Sequence, residues 1–139
     1  MNTAQSPQSV PELLARQAQR FGNRPFLYFE EQVFGYEDLR LHMERVGGAL
    51  QRAGIGVGDK VAIMLDNRPE FIFIWFALAR IGAVEVPVNT AHKGDLLAYV
   101  IDQADCRLAF VERALLPQLE AVRARMPKLQ QVVVLDDAG

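Results

Sequence analysis

The chain has one cysteine, Cys106, in 139 residues. A single thiol excludes an intramolecular disulfide and any metal site built on a cysteine cluster. Charge of one sign is also lacking. The formal net charge is −2, which argues against a nucleic-acid partner held through phosphate contacts. No long hydrophobic run is present. The longest, Phe71 to Ala79, is nine residues, too short to span a bilayer. The opening residues, MNTAQSPQSVPE, have neither the basic start nor the apolar core of a secretory leader. A G-x-x-x-x-G-K-S/T phosphate loop is missing, as is a G-x-S-x-G nucleophile elbow. Together with the lone thiol, these absences make the cytoplasm the expected location.

Half of the residues are hydrophobic and 23% are charged, the balance of a folded domain with a usable core. Residues 1–8 are polar and are expected to be disordered. Residues 9–139 read as one unit without a linker, an internal repeat or a low-complexity stretch. Ser9-Val10-Pro11-Glu12 is a capping-box pattern that starts a helix carrying Leu13, Leu14 and Ala18 and ending near Gly22. Phe26 to Phe29 and Val33-Phe34 flank Glu30-Glu31-Gln32 as a hairpin. Tyr36 to Ala53 is a long amphipathic helix, with Leu39, Met43, Val46, Leu50 and Ala53 on one face. Gly47-Gly48 inside it costs about 1 kcal/mol per glycine relative to alanine, which predicts a close approach by a neighbouring element.

The centre of the chain is VAIMLDNRPEFIFIWFALARIGAVEVPVN, Val61 to Asn89. Lys60 to Leu65 is a short apolar strand. Asn67, with Glu70 three residues on, is expected to cap the next helix, and Pro69 is tolerated in its first turn. Phe71, Phe73, Trp75 and Phe76 are assigned to the core. Gly82 stops the helix, and Ala83 to Val88 is a second strand, placing Glu85 at an edge or facing outward. Strand, helix and strand within about 30 residues form a βαβ unit with parallel strands. Asp95 to Gln103 is a helix, Arg107 to Val111 a strand, Leu115 to Arg125 a helix and Gln131 to Leu135 a strand. The fold class is α/β. It has a mainly parallel sheet with helices on both faces, a βαβαβ Rossmann-like subdomain, preceded by a helix and a β-hairpin.

Chemistry-bearing residues are sparse. Gly54-Ile55-Gly56-Val57-Gly58 follows a helix and precedes a strand, the reverse of a dinucleotide fingerprint, so a helix stop and turn accounts for it. His42 falls on the polar side of its helix. Cys106 has no neighbour to activate it, and Asp136-Asp137 reads as solvated. His92 and Lys93 lie in a loop leaving the carboxyl end of a strand, where open α/β sheets bind ligands. A solvated loop is the alternative, with Asn89 or Thr90 capping the following helix. No metal site is indicated, and no catalytic residue can be named.

The order of four segments carries a resemblance. They are Tyr36-Glu37-Asp38-Leu39, Gly58-Asp59-Lys60-Val61-Ala62, Asn67-Arg68-Pro69-Glu70-Phe71, and Gly82-Ala83-Val84-Glu85-Val86-Pro87-Val88-Asn89. In this order the chain resembles the N-terminal part of the adenylate-forming acyl-CoA synthetases, loosely over residues 9–135. Gly35 departs from the Thr or Ser usual in that family before the Tyr. The resemblance implies that residues 9–139 are the N-terminal α/β subdomain of a larger adenylating domain. It implies an enzyme that activates a carboxylic acid with ATP and Mg²⁺ as an acyl-adenylate and passes the acyl group to CoA. The family's catalytic segments lie downstream, so this segment alone is expected to be inactive, to bind no cofactor tightly and to self-associate through its cut faces. The resemblance also puts the loop after Asn89 on the side from which CoA approaches, making His92 and Lys93 candidate contacts to a CoA phosphate. The rival reading is a standalone, non-catalytic α/β module that binds a nucleotide, CoA or a protein. A flavodoxin-like redox domain lacks support, because no Ser/Thr/Gly-rich turn follows the first parallel strand.

Overall fold

The computed structural model describes residues 9–136; the expected disorder of residues 1–8 lies outside them. The elements, in chain order, are α1 (Val10–Phe21), β1 (Pro25–Phe29), β2 (Gln32–Gly35), α2 (Tyr36–Arg52), β3 (Lys60–Met64), α3 (Pro69–Ile81), β4 (Val84–Pro87), α4 (Gly94–Gln103), β5 (Cys106–Glu112), α5 (Leu116–Glu120) and β6 (Gln131–Leu135). Strands β1 and β2 form the antiparallel hairpin. The other four form a fully parallel sheet in the order β4-β3-β5-β6. Among the described residues, no helix is long and apolar enough to cross a membrane.

Strand alternation divides the sheet's side chains between two cores. Val61, Ile63, Leu65, Leu108 and Phe110 face α3 and the end of α2, packing with Leu50, Ile74, Ala77, Leu78 and Ile81. Ala62, Met64, Ala109 and Val111 face the other way, against Leu97, Ala98 and Ile101 of α4 and Leu119 near the chain's end. Each fully buried Leu, Ile or Val contributes roughly 1.5–3 kcal/mol. A third cluster, Leu14, Leu39, Met43, Phe73 and Phe76, glues α1 and α2 to the outer side of α3. This is why α3 is apolar almost all round: it has a sheet on one side and helices on the other. Trp75 is the exception. It is 42% exposed, a correction to its assignment to the core, because it points between the two covered sides.

Local signals mostly hold. The Ser9 hydroxyl accepts from the Glu12 N–H at 3.3 Å. Gly82 sits in the left-handed region at φ +74, and a Cβ there would come within 3.1 Å of Val57; both facts favour glycine at this helix stop. The absence of Ser or Thr at position 35 also has a cause. A Cβ on Gly35 would lie 3.1 Å from the Asn23 backbone, while Asp38 accepts from the Gly35 N–H at 2.8 Å. Two expectations fail. Asn67 does not cap α3; the residue before the helix is Arg68, without a side-chain cap. The helix expected over Leu115 to Arg125 is only Leu116–Glu120, flanked by 3₁₀ turns Arg113–Leu115 and Arg123–Arg125. Val122, Met126 and Leu129 are buried with Leu119 in the core beside the sheet, which turns the chain back after Glu120 instead of extending the helix.

Gly47 and Gly48 separate in their causes. A Cβ on Gly47 would touch Ile81 Cγ2 at 3.4 Å and the Ala77 carbonyl at 3.7 Å, so α3 does approach closely there. Gly48 meets only the mobile end of Arg52, and no packing demand explains it. Gly48→Ala should therefore stabilise the chain by about 0.5–1 kcal/mol in urea unfolding. Gly47→Leu should destabilise it by about 1–3 kcal/mol through overpacking. The reverse order would contradict the α2–α3 packing.

Candidate active-site edge

In a parallel sheet all carboxyl ends open on one side, and here that side gathers polar residues from four strands. Arg68, just beyond β3, is central. Its side chain is only 10% exposed. It holds Glu70 through Nε at 2.9 Å, faces Glu112 at the end of β5 at 3.6 Å, and donates to the Asp136 carbonyl beyond β6 at 3.1 Å. Glu112 in turn accepts from the Asp66 N–H at 3.1 Å. Asp66 accepts the Thr90 hydroxyl, from the loop after β4, at 2.8 Å. Arg113 pairs with the Asp136 carboxylate, so Asp136 is engaged rather than merely solvated; Asp137 lies outside the described residues. The hydrogen bond from Arg68 holds the Glu70 carboxyl below its usual range, against the opposing effect of its partial burial. These residues were not anticipated from sequence, because Arg68, Glu112 and Asp136 meet only through strand register.

The loop over residues 89–93 is a tight turn. The Asn89 side chain accepts from the Ala91 N–H at 2.9 Å, and its carbonyl accepts from the His92 N–H at 3.0 Å. Neither Asn89 nor Thr90 caps α4; Lys93 occupies that position and makes no side-chain cap bond. His92 is half-buried, with Nδ1 buried and without a partner. Lys93 is exposed. The structure thus puts both on the carboxyl-end side, joined to the polar network through Thr90.

A wider opening of about 500 Å³ lies at the opposite, amino ends of the strands, lined by Lys60, Asp105, Arg107 and Lys128. Arg107 there is held by Asp59 at 2.8 Å and Lys128 by Asp105. The carboxyl ends are the stronger candidate, because open parallel sheets bind ligands outside the carboxyl ends of their strands. Beside them, a groove of about 210 Å³ runs between Leu27 and Phe29 of the hairpin and Asn67, Arg68 and Phe71.

The remaining candidates are structural. Cys106 opens β5, is fully buried, and burial pushes its thiol up to about 11, so it is no nucleophile at neutral pH. His42 is less open than the polar side of its helix suggests. It is half-buried and stacks on Phe73 with ring centroids 4.1 Å apart. Glu85 lies on the edge strand β4, where burial raises its carboxyl. Among the described residues, no three His, Cys, Asp or Glu side chains are placed to hold a metal.

Arg68→Met should cost about 1–3 kcal/mol at neutral pH, because Glu112 and the Asp136 carbonyl lose a donor. The folded-state pKa of Glu70 is depressed, so its pairing stabilises the fold above its ordinary value of 4.5 and is lost as pH falls below it. The gap between parent and variant should narrow in acid unfolding below that pH. A gap that is constant or widens would contradict the pairing.

The comparisons with known proteins agree with this architecture. A family model described as AMP-binding enzyme matches residues 14–139. The crotonobetaine/carnitine–CoA ligase of Salmonella paratyphi A is 34% identical over 111 residues, covering 76% of this chain and 22% of that protein. The enzyme of the same name from Salmonella typhimurium is 34% identical, covering 74% and 21%. This chain therefore spans about a fifth of the length of these relatives. Among solved structures, the anthranilate CoA ligase AuaEII in complex with anthranoyl-AMP superposes with a TM-score of 0.88 at 23% identity, over 97% of this chain and 27% of that one. The N-terminal subdomain of Klebsiella oxytoca NpsA in complex with 3-hydroxyanthranilyl-AMSN matches with a TM-score of 0.72 at 30% identity, over 76% of this chain and 27% of that one. With a family model spanning nearly all of its described residues and the same parallel sheet, the chain belongs to the AMP-binding enzyme family.

Proposed function

We propose that this chain is the N-terminal part of an ATP-dependent acyl-CoA ligase. The observation that carries the reading is its 34% identity to CoA ligases through the strand–helix–strand centre. In that reaction a carboxylate attacks the α-phosphorus of ATP, forming an acyl-adenylate and releasing pyrophosphate. The CoA thiolate then attacks the acyl carbonyl and AMP departs. Two groups of this segment take no part in either step: Cys106 is buried and protonated, and Arg68 is neutralised by Glu70 and Glu112. The segment is a wall of the site, and the groups that hold ATP and Mg²⁺ belong to the rest of the enzyme. The substrate class is a carboxylic acid, and the reaction belongs in the cytoplasm, where ATP and CoA are pooled. A standalone binding module has no observation in its favour.

The part assigned to this segment is a contact to CoA. Lys93 is an exposed cation at the N-terminus of α4, whose first N–H groups have no side-chain cap. A cation beside free helix N–H groups suits a phosphate. His92 lies beside it, with Nδ1 unpaired. In the full-length ligase, Lys93→Ala should raise the KM for CoA about tenfold, with a much smaller effect for CoA lacking its 3′-phosphate. An unchanged KM for CoA would refute the contact.

The isolated chain should self-associate through a second copy. Among the described residues, strand β6 is a sheet edge. Beside it runs an apolar groove lined by Val46, Phe73, Phe110, Val133 and Leu135, with Val133 38% exposed. Such an edge beside an apolar face invites pairing. Val133→Lys should shift sedimentation of the isolated chain towards monomer; a parent that stays monomeric at high concentration would contradict this.

A further inference from the structure

Among the described residues, strand β4 is a short edge strand, paired on one side only, to β3. Its last backbone tie to that neighbour is the Val88 N–H to the Ile63 carbonyl, 2.9 Å. The turn over residues 89–93 then runs free of the ladder. Among the described residues, the link from this turn back to the body of the sheet is the Thr90 hydroxyl donating to Asp66 Oδ1 at 2.8 Å.

Asp66 is itself anchored. Its N–H donates to Glu112 Oε1, and Glu112 faces the guanidinium of the mostly buried Arg68. A path of hydrogen bonds and charge thus runs from β5 through the β3 exit to the edge turn. The hydrogen bonds within the turn, Asn89 to Ala91 and Asn89 to His92, fix its shape. They do not fix its place relative to the sheet. Among the described residues, the side-chain hydrogen bond that ties the turn to the sheet between β4 and α4 is Thr90–Asp66.

We propose that Asp66 and Thr90 are positioning residues that set the 89–93 turn, and with it Lys93, against the sheet. The proposal rests on the reading of Lys93 as a CoA contact. Asp66 touches no ligand in this account; it acts through Thr90. Its carboxylate would repel a phosphate that approached it, so its value to the site lies in the hydrogen bond it accepts. A neutral acceptor of the same shape should therefore serve equally well.

The test uses the full-length ligase and measures KM for CoA and kcat separately. Thr90→Val keeps the side-chain shape and removes the donor; Asp66→Ala removes the acceptor. Each should raise KM for CoA about three- to tenfold, the worth of one hydrogen bond, with a much smaller change in kcat. Thr90→Ser and Asp66→Asn keep donor and acceptor and should restore KM to the parent value. The Thr90→Val/Asp66→Ala double variant should be no worse than either single one, since both delete the same bond. Additive losses, or a fall in kcat with KM unmoved, would overturn the proposal. Lys93→Ala separates the two levels. If it leaves KM for CoA unchanged, the underlying CoA contact falls. If it raises KM while Thr90→Val and Asp66→Ala do not, only the positioning role falls.

Discussion

The structure depends on the burial of β3 on both faces and both edges. Val61, Ala62, Ile63 and Met64 are at most 1% exposed. Each neighbouring side chain in the strand points into a different core, and the backbone pairs with β4 on one side and β5 on the other. A strand so placed cannot slip by one residue without exchanging the contents of both cores. Its register therefore fixes where the chain leaves the sheet. Leu65 closes one core, and the next three residues, Asp66, Asn67 and Arg68, are delivered to the carboxyl-end side. The helix that follows must cross back over one face, which orders the βαβ unit.

The polar edge follows from that placement. Arg68 would be costly to enclose alone. Glu70, Glu112 and the Asp136 carbonyl compensate it from three parts of the chain, so the ends of β3, β5 and β6 are tied together. The strand left outside this clamp is β4, whose following turn carries the candidate ligand contacts. A stiff interior beside a turn tied to it by a side-chain hydrogen bond is the setting in which the CoA contact is proposed.

Much of this was legible in the sequence. The alternation of strands and helices from Lys60 onward has a periodicity that burial on both sheet faces requires, and the structure reproduces it. The stop at Gly82 was legible too, and the hairpin was suggested by two aromatic runs around a polar turn without an Asn-Gly signal. What was not legible depends on distance along the chain. Arg68 and Glu112 are 44 positions apart, and their meeting requires the β3–β5 register. Asn67 has the right side chain for a cap, but the structure places it one residue before the N-cap, Arg68. His42 looked solvated by helical phase, yet Phe73 offers it a ring to stack on. The shortening of the helix expected before β6 reflects tertiary pull on Val122 and Met126 overriding local propensity. The loop holding His92 and Lys93 was legible as one leaving the carboxyl end of a strand, while its attachment through Thr90 and Asp66 was not.

Both cores and the carboxyl-end edge rely on β3, and this dependence is open to measurement. Native-state hydrogen exchange tests it most directly. The amides of Ala62, Ile63 and Met64 should exchange only through global unfolding, together with those at the centre of β5, while β6 and β4 open at lower free energy. Local opening of β3 at a free energy below that of β6 would contradict the account.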